Sequence, residues 1–335
     1  MAEAIPDTEK YLFDARVSFL KKFEDVYDFQ YKKNTIYRTF LNALGYSRKD
    51  SFSPETIPLI PVRAFKSGPI LPEGYTAELT FRSSGTTSMK KSSHGIAKAE
   101  MYEKAISSEF YSHFPENEVI ILALLPKYEE NPESSLIWMV RYLINNDASG
   151  LSGFIQNDNP VDQHWIEQIV LSNKKLVLFG AAFGLIDFMD QQNPFDSLSL
   201  EVIETGGMKT HKREMSKEEL RNRISDYFKI PKSSIHSEYG MCELHSQMYA
   251  IGSEWFTAPN WVKVSIRKAD NPEHECEPGE EGKIGIIDLA NLYSCPFLLT
   301  NDRGVMNENG NFRVLGRWDK ENMRGCNFLI DTDSL

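Results

Sequence analysis

Lys175-Leu176-Val177-Leu178-Phe179 is a short apolar run with little polar alternation, the pattern of a strand covered on both faces. From there the chain reads as helix over 184–189, strand over 199–204, helix over 216–228 and strand over 234–238. Strand alternating with helix at this spacing specifies an α/β sheet built from crossover connections. Ser216, with Glu219 three residues on, forms a capping box at the start of its helix. Upstream the alternation continues, with helical character over 100–114, a continuous apolar strand over 119–125 and an apolar-rich helix over 135–144. Downstream of about residue 260 the pattern changes. The runs 261–266, 285–289 and 312–315 are short and separated by Pro, Gly and Asn turns, which predicts antiparallel hairpins. Residues 9–45 read as helix, with one stripe through Phe13, Val17, Leu20, Phe23 and Tyr27 and a second through Ile36, Phe40 and Leu44. Prolines keep 57–62 extended.

Composition narrows the function. The chain has 335 residues, 41% hydrophobic and 25% charged, which is ordinary globular protein of two domains or one large domain with appendages. Its net charge of −11 is spread along the whole length, arguing against a nucleic acid or anionic lipid partner. Four cysteines, at 242, 276, 295 and 326, are too few and too dispersed for a disulfide framework and lack zinc-ligand spacing. A reduced cytoplasm is the expected setting. The apolar run 119–125 is too short to span a bilayer, so an integral membrane protein is not expected.

Three segments carry chemistry. The first is Arg82-Ser83-Ser84-Gly85-Thr86-Thr87-Ser88, leading into Lys90 and Lys91. Its glycine frees the backbone and its hydroxyls and amides form a concave, locally positive site suited to a polyphosphate such as ATP, although the same composition also makes a plain turn. The second is Ser237-Glu238-Tyr239-Gly240-Met241-Cys242-Glu243, where a strand ends and a turn begins. Tyr239 offers a flat face for a purine, Gly240 permits close approach, and Glu243 is a hard oxygen donor for Mg2+. A strand terminus with a solvated carboxylate is the other reading. The third is Thr300-Asn301-Asp302-Arg303-Gly304 with Gly316-Arg317-Trp318-Asp319. An aspartate accepts both hydroxyls of a ribose and an arginine forks onto a phosphate, yet both segments also read as turns.

The order of these segments, from about Thr80 to Asp319, resembles that of the ANL superfamily of adenylate-forming enzymes. Within it, Ile60-Pro61-Val62, Phe65-Lys66, Thr205-Gly206-Gly207-Met208-Lys209 and Arg324-Gly325-Cys326 resemble the acyl-protein synthetases of the LuxE type. The resemblance implies an ANL-type large α/β domain, with parallel or mixed sheets and flanking helices, plus a small β-rich region. The implied division is an adenylate-forming core with N-terminal helices over 1–260, a β-rich subdomain completing the nucleotide site over 261–319, and a tail over 320–335. It also implies ATP-dependent conversion of a fatty or other carboxylic acid to acyl-AMP, followed by transfer to a cysteine of the protein and delivery to an acyl reductase partner. An acyl-CoA ligase-like enzyme and a catalytically degenerate nucleotide-binding subunit are the alternatives.

Carried over by position, Ser83, Ser84, Gly85, Thr86, Thr87 and Lys91 hold the ATP phosphates, and Gly206 and Gly207 border the adenine and acyl sites. Tyr239 and Gly240 meet the adenine, Glu243 binds Mg2+, Asp302 holds the ribose, and Arg317 reaches the ribose or α-phosphate. Cys326 is the expected acyl acceptor, since a thiolate attacks well and its thioester remains energetic. Two turns depart from the family pattern: Ser88 and Asn301 stand where glycines are usual. With its last residue at Leu335, the sequence is not expected to include the carboxyl-terminal domain that delivers a catalytic lysine in typical members, and Lys209 is the expected substitute for part of that charge. The segment 179–184, Phe-Gly-Ala-Ala-Phe-Gly, is expected to line an acyl tunnel.

Overall fold

The computed structural model describes residues 8–83, 91–125, 131–156, 161–190, 194–195, 198–206 and 215–318. Among the described residues, two large sheets and one hairpin organise the chain. The expected helix over 9–45 is three pieces: α1 (Thr8–Tyr11), α2 (Phe19–Lys33) and α3 (Thr35–Ala43). Asn34 causes the second break. Its backbone N–H donates to the Gln30 carbonyl, closing α2, while its side-chain oxygen accepts from Tyr37 N at 3.1 Å, opening α3. The buried stripes differ in phase from the expected ones. Leu20, Ile36 and Leu44 are exposed, whereas Phe23, Val26, Tyr37 and Leu41 enter the core.

Next come β1 (Ile60–Pro61), a 3-10 turn over Val62–Ser67, and the antiparallel hairpin of β2 (Leu79–Arg82) and β3 (Ser93–Ile96). Then follow α4 (Ala99–His113), β4 (Val119–Leu124), α5 (Ser135–Asn145), β5 (Gly153–Phe154), α6 (Gln163–Ser172), β6 (Lys175–Ala181), α7 (Ala182–Phe188), β7 (Leu200–Thr205), α8 (Lys217–Phe228), β8 (Ile235–Tyr239) and β9 (Met248–Ala250). The six strands β4 to β9 form one sheet in the order β5-β4-β6-β7-β8-β9, parallel except for the β8–β9 pair. Every residue of β4 and β8 is buried, as strands covered by helices on both faces must be. Helices α6, α7 and α8 pack one face through Ile169, Leu185 and Ile224, while α4 and α5 pack the other through Phe110 and Val140. Ser216 caps α8 by accepting from Glu219 N at 3.1 Å.

The second sheet holds β10 (Val262–Arg267), β11 (Gly282–Asp288), β12 (Phe297–Met306) and β13 (Phe312–Arg317). β11 pairs antiparallel with β10 and β12, β13 pairs antiparallel with β12, and β1 adds a parallel edge to β12 through Ile60↔Leu298 and Pro61↔Leu299. Helices α2 and α3 cover this sheet with Phe23, Val26, Tyr37 and Leu41. Polar side chains fasten them: Gln30 Nε2 donates to the Leu292 carbonyl at 2.7 Å, and the Tyr37 hydroxyl donates to the Pro58 carbonyl at 2.8 Å. Arg267 is fully buried beneath the 54–55 segment, donating to the Glu55 carbonyl at 2.7 Å and to Ser265 Oγ at 2.8 Å.

Among the described residues, no helix is long and apolar enough to cross a membrane.

Candidate active site

The parallel strands β6, β7 and β8 end at one edge of their sheet, where α/β folds place ligands. Tyr239 is the last residue of β8, and the turn that follows carries Gly240 and Glu243. β12 and β13 of the second sheet approach the same place. The Tyr239 hydroxyl donates to Asp302 Oδ2 at 2.8 Å, and Arg317 Nε lies 3.3 Å from Asp302 Oδ1. Asp302 and Arg317 are direct cross-strand partners, which is why two residues fifteen positions apart form one ion pair. Asp302 therefore links both sheets.

The second sheet also supplies packing for the aromatic ring. Phe256 and Phe312 stack on each other at 5.3 Å and meet Tyr239 edge-on at 5.9 and 5.7 Å. Burial, with the Asp302 carboxylate next, pushes the Tyr239 hydroxyl well above the usual phenol range, so it stays a donor. Arg317 keeps three-quarters of its side chain exposed, whereas Asp302 keeps 15%.

The β2–β3 hairpin brings the third segment. Ser83 and Ser92 close its end: Ser83 N donates to the Ser92 carbonyl at 3.1 Å, and Ser92 N donates to Ser83 Oγ at 3.0 Å. The Ser92 side chain lies beside the Glu243 carboxyl and favours its charged form. Burial raises the Glu243 carboxyl, and the nearby Asp302 charge adds to this while Ser92 and Arg317 oppose it. Ser83, Tyr239, Glu243, Asp302 and Arg317 are thus gathered from the end of the β2–β3 hairpin, β8, β12, β13 and one turn. Lys91 is exposed beside Ser92. Ser84, Gly85, Thr86, Thr87, Gly207, Lys209 and Cys326 lie outside the described residues.

A fixed scaffold holds the turn after β8. His94 Nδ1 lies 2.7 Å from the Cys242 carbonyl, and Asn291 Nδ2 donates to the Glu243 carbonyl at 2.8 Å. Burial lowers His94 to about 4, so the ring is neutral at ordinary pH. Gly206 follows β7 with φ of +85°, a conformation that an L side chain strains to adopt. Gly240 leaves room of another kind: a Cβ there would sit 2.5 Å from Glu238 Oε1 and force that carboxyl to move.

Glu238 is the residue that sequence reading passed over, although it stands inside the quoted motif. Its carboxyl is buried and accepts a short hydrogen bond from the Thr205 hydroxyl, its neighbour across the β7–β8 pair. Burial pushes it up to about 7, with the Glu204 charge contributing in the same direction. An acidic residue in a strand with no polar alternation was the signal. Ser92 was missed because it lies beyond the loop that drew attention.

Among the described residues no group of three or more His, Cys, Asp or Glu side chains is arranged to hold a metal. Glu243, a buried carboxyl beside the Ser92 side chain, suits a hard cation that keeps most of its ligands as water and phosphate oxygen. The described cysteines are thiols held up by burial, Cys276 to about 11 and Cys295 to about 12, with Cys242 higher still.

Comparison with solved structures finds the same fold in adenylating enzymes. An open conformation of 2-hydroxyisobutyryl-CoA ligase, in complex with 2-HIB-AMP and CoA, matches with a TM-score of 0.67 at 12% identity, covering 90% of this chain and 69% of its own. ATP-bound MatB from Rhodopseudomonas palustris matches with a TM-score of 0.51 at 13% identity, covering 74% of this chain and 50% of its own. No curated protein matches the sequence. The large α/β sheet with flanking helices and its adjoining β-rich sheet are those of the ANL adenylating enzymes. The family model for acyl-protein synthetase, LuxE, matches residues 10–333. The chain belongs to the LuxE acyl-protein synthetase family.

Proposed function

We propose that this protein activates a carboxylic acid, of fatty type, with ATP to give acyl-AMP and pyrophosphate, and then transfers the acyl group to Cys326. The observation that carries the reading is the convergence of Tyr239, Glu243, Asp302, Arg317 and the Ser83–Ser92 hairpin end at one sheet edge. In the first step a carboxylate oxygen attacks the α-phosphorus and the bond to the bridging oxygen of pyrophosphate breaks. In the second step the Cys326 thiolate attacks the acyl carbon, AMP leaves, and a thioester remains for an acyl reductase to consume.

Both reactants of the first step are anions, so the site must supply positive charge and oriented donors where charge accumulates. Ser83 to Thr87 and Lys91 serve the phosphates, and Arg317, fixed by Asp302 yet mostly exposed, turns its free guanidinium nitrogens to the α-phosphate or ribose. Asp302 accepts from the ribose hydroxyls while Tyr239 and Gly240 receive the adenine beside Gly206 and Gly207. Glu243 would hold Mg2+, which when bound would supply positive charge for the pyrophosphate leaving group. Lys209 supplies part of the positive charge that the reaction requires. A reduced, cytoplasmic setting suits a cysteine that cycles between thiol and thioester.

The test is pyrophosphate exchange into ATP across a panel of carboxylic acids, with intact-mass detection of acyl adducts on the same samples. Acid-dependent exchange and an adduct lost in Cys326→Ser are expected. An adduct that persists in Cys326→Ser refutes the acceptor, and turnover only with free thiol marks a CoA ligase-like enzyme. MgATP binding without exchange on any acid refutes the activation chemistry.

A further inference from the structure

Strand alternation puts the neighbours of Tyr239 on the opposite face of the sheet. Glu238 lies directly across from Tyr249 on β9, and the next pair along the hairpin brings Gln247 beside Gly240, with Gln247 Cγ 3.5 Å from where a Gly240 Cβ would be. This face looks toward α4. Tyr102 of α4 reaches it: its ring lies 5.5 Å from that of His245, and its hydroxyl responds to the Glu238 charge.

These side chains are buried, with Tyr249 and His245 each 1% exposed, Gln247 5% and Glu238 7%. The Tyr249 hydroxyl, Gln247 Oε1 and His245 Nδ1 have no hydrogen-bond partner among the described residues. Native interiors rarely leave one such atom unpaired, and three in this part of the fold call for a partner. The surroundings are otherwise apolar. Phe81, Tyr102 and Phe110 pack on the same face, and Trp138, Ala181 and Cys242 remain only partly buried against them.

Gly206 and Gly240 stand at the ends of β7 and β8, on the rim between this face and the Asp302 face. An acid whose carboxylate meets the nucleotide at the rim extends its chain over this face. A plain hydrocarbon chain there would cover four polar groups and satisfy none of them. Gln247 Oε1 and the Glu238 carboxylate are acceptors, and the Tyr249 hydroxyl and His245 Nδ1 accept as well as any group of their kind.

We propose that the acid activated by this protein carries a hydrogen-bond donor, hydroxyl or amine, on its chain, received by Glu238, Gln247, Tyr249 and His245. This rests on the adenylation reading above and narrows its substrate class. The experiment is pyrophosphate exchange with the full chain on matched acids of one carbon skeleton: unsubstituted, hydroxyl-substituted and amine-substituted at successive positions. A substituted acid is expected to exceed its parent in kcat/KM by about 100-fold or more, because rejection of the parent leaves buried polar groups unpaired. Tyr249→Phe and Gln247→Leu are each expected to shrink that ratio by about tenfold, with melting temperatures recorded to show the variants are folded. Assayed at pH 8, where Glu238 is charged, Glu238→Gln separates the two donors: it abolishes a preference for an amine and retains one for a hydroxyl. Parent acids that exchange as well as every substituted partner overturn the inference and leave adenylation standing. No exchange with any acid removes the adenylation reading, and the inference with it.

Discussion

Glu238→Gln makes the buried carboxyl measurable through stability. In the folded protein the group holds its proton to about pH 7, against an ordinary value of 4.5, because burial disfavours the charged form. Between those two values the folded state binds a proton that the unfolded chain has released, so stability falls as pH rises. The contribution is fully present below the unfolded value and is lost as pH climbs through the folded one. Each pH unit in that window is worth about 1.4 kcal/mol, so between pH 5 and pH 8 the wild type loses about 2.5 kcal/mol that the glutamine variant does not. Glutamine keeps an acceptor for the Thr205 hydroxyl, which limits the structural change to one charge. The assay is urea unfolding of both proteins at the two pH values. Glu243 and Asp288, raised by burial in the same direction, cancel in the comparison. The variant should gain on the wild type as pH rises. A difference between the two proteins that stays constant with pH would refute the reasoning, because it would mean that Glu238 is charged throughout.

Other perturbations address the neighbouring links. Asp302→Ala removes the acceptor of the buried Tyr239 hydroxyl, so stability should fall by about 1–3 kcal/mol and the KM for ATP should rise; an unchanged KM would detach this pair from the nucleotide. Gly240→Ala places a Cβ 2.5 Å from Glu238 Oε1, and exchange rates should fall by about 100-fold with the fold retained by circular dichroism. Arg267→Met leaves the Pro54 and Glu55 carbonyls without their buried donor, and a loss of about 3–5 kcal/mol in urea unfolding is expected. Full stability in that variant would show that the 54–55 segment is held by its apolar neighbours alone.

The α/β alternation from residue 119 to 239 was legible because fully covered strands leave a simple mark, continuous apolar runs such as 119–124. The helical stripes near the amino end were harder. Ile36, Phe40 and Leu44 form an apolar series at helical spacing, but Asn34 resets the phase by ending one helix and capping the next, and Tyr37 and Leu41 turn inward while Ile36 and Leu44 stay exposed. β12 hid its site in a different way. Thr300-Asn301-Asp302-Arg303-Gly304 has the composition of a turn, yet it lies inside a ten-residue strand. The pairing shifts between Arg303 and Gly304, and Gly304 has no room for a side chain beside Ile284. Ordered motifs pointed to Tyr239, Glu243, Asp302 and Arg317 as one group, but the contacts that hold them, Ser92 on Glu243 and Asp302 across from Arg317, depend on strand register that no local pattern encodes.

The parallel bond between Ile60-Pro61 and Leu298-Leu299 has a consequence for synthesis. On the ribosome, α2 and α3 emerge early, and the sheet that covers Phe23, Val26, Tyr37 and Leu41 arrives more than two hundred residues later. Until β10 to β12 are made, those faces have no native partner, which exposes the nascent chain to aggregation and invites chaperone capture. Closure of this sheet is therefore a late, long-range event with a large loop entropy, and it assembles the Asp302–Arg317 pair in the same step. The sheet that carries Asp302 and Arg317 is complete only when the two distant ends of the described chain have met.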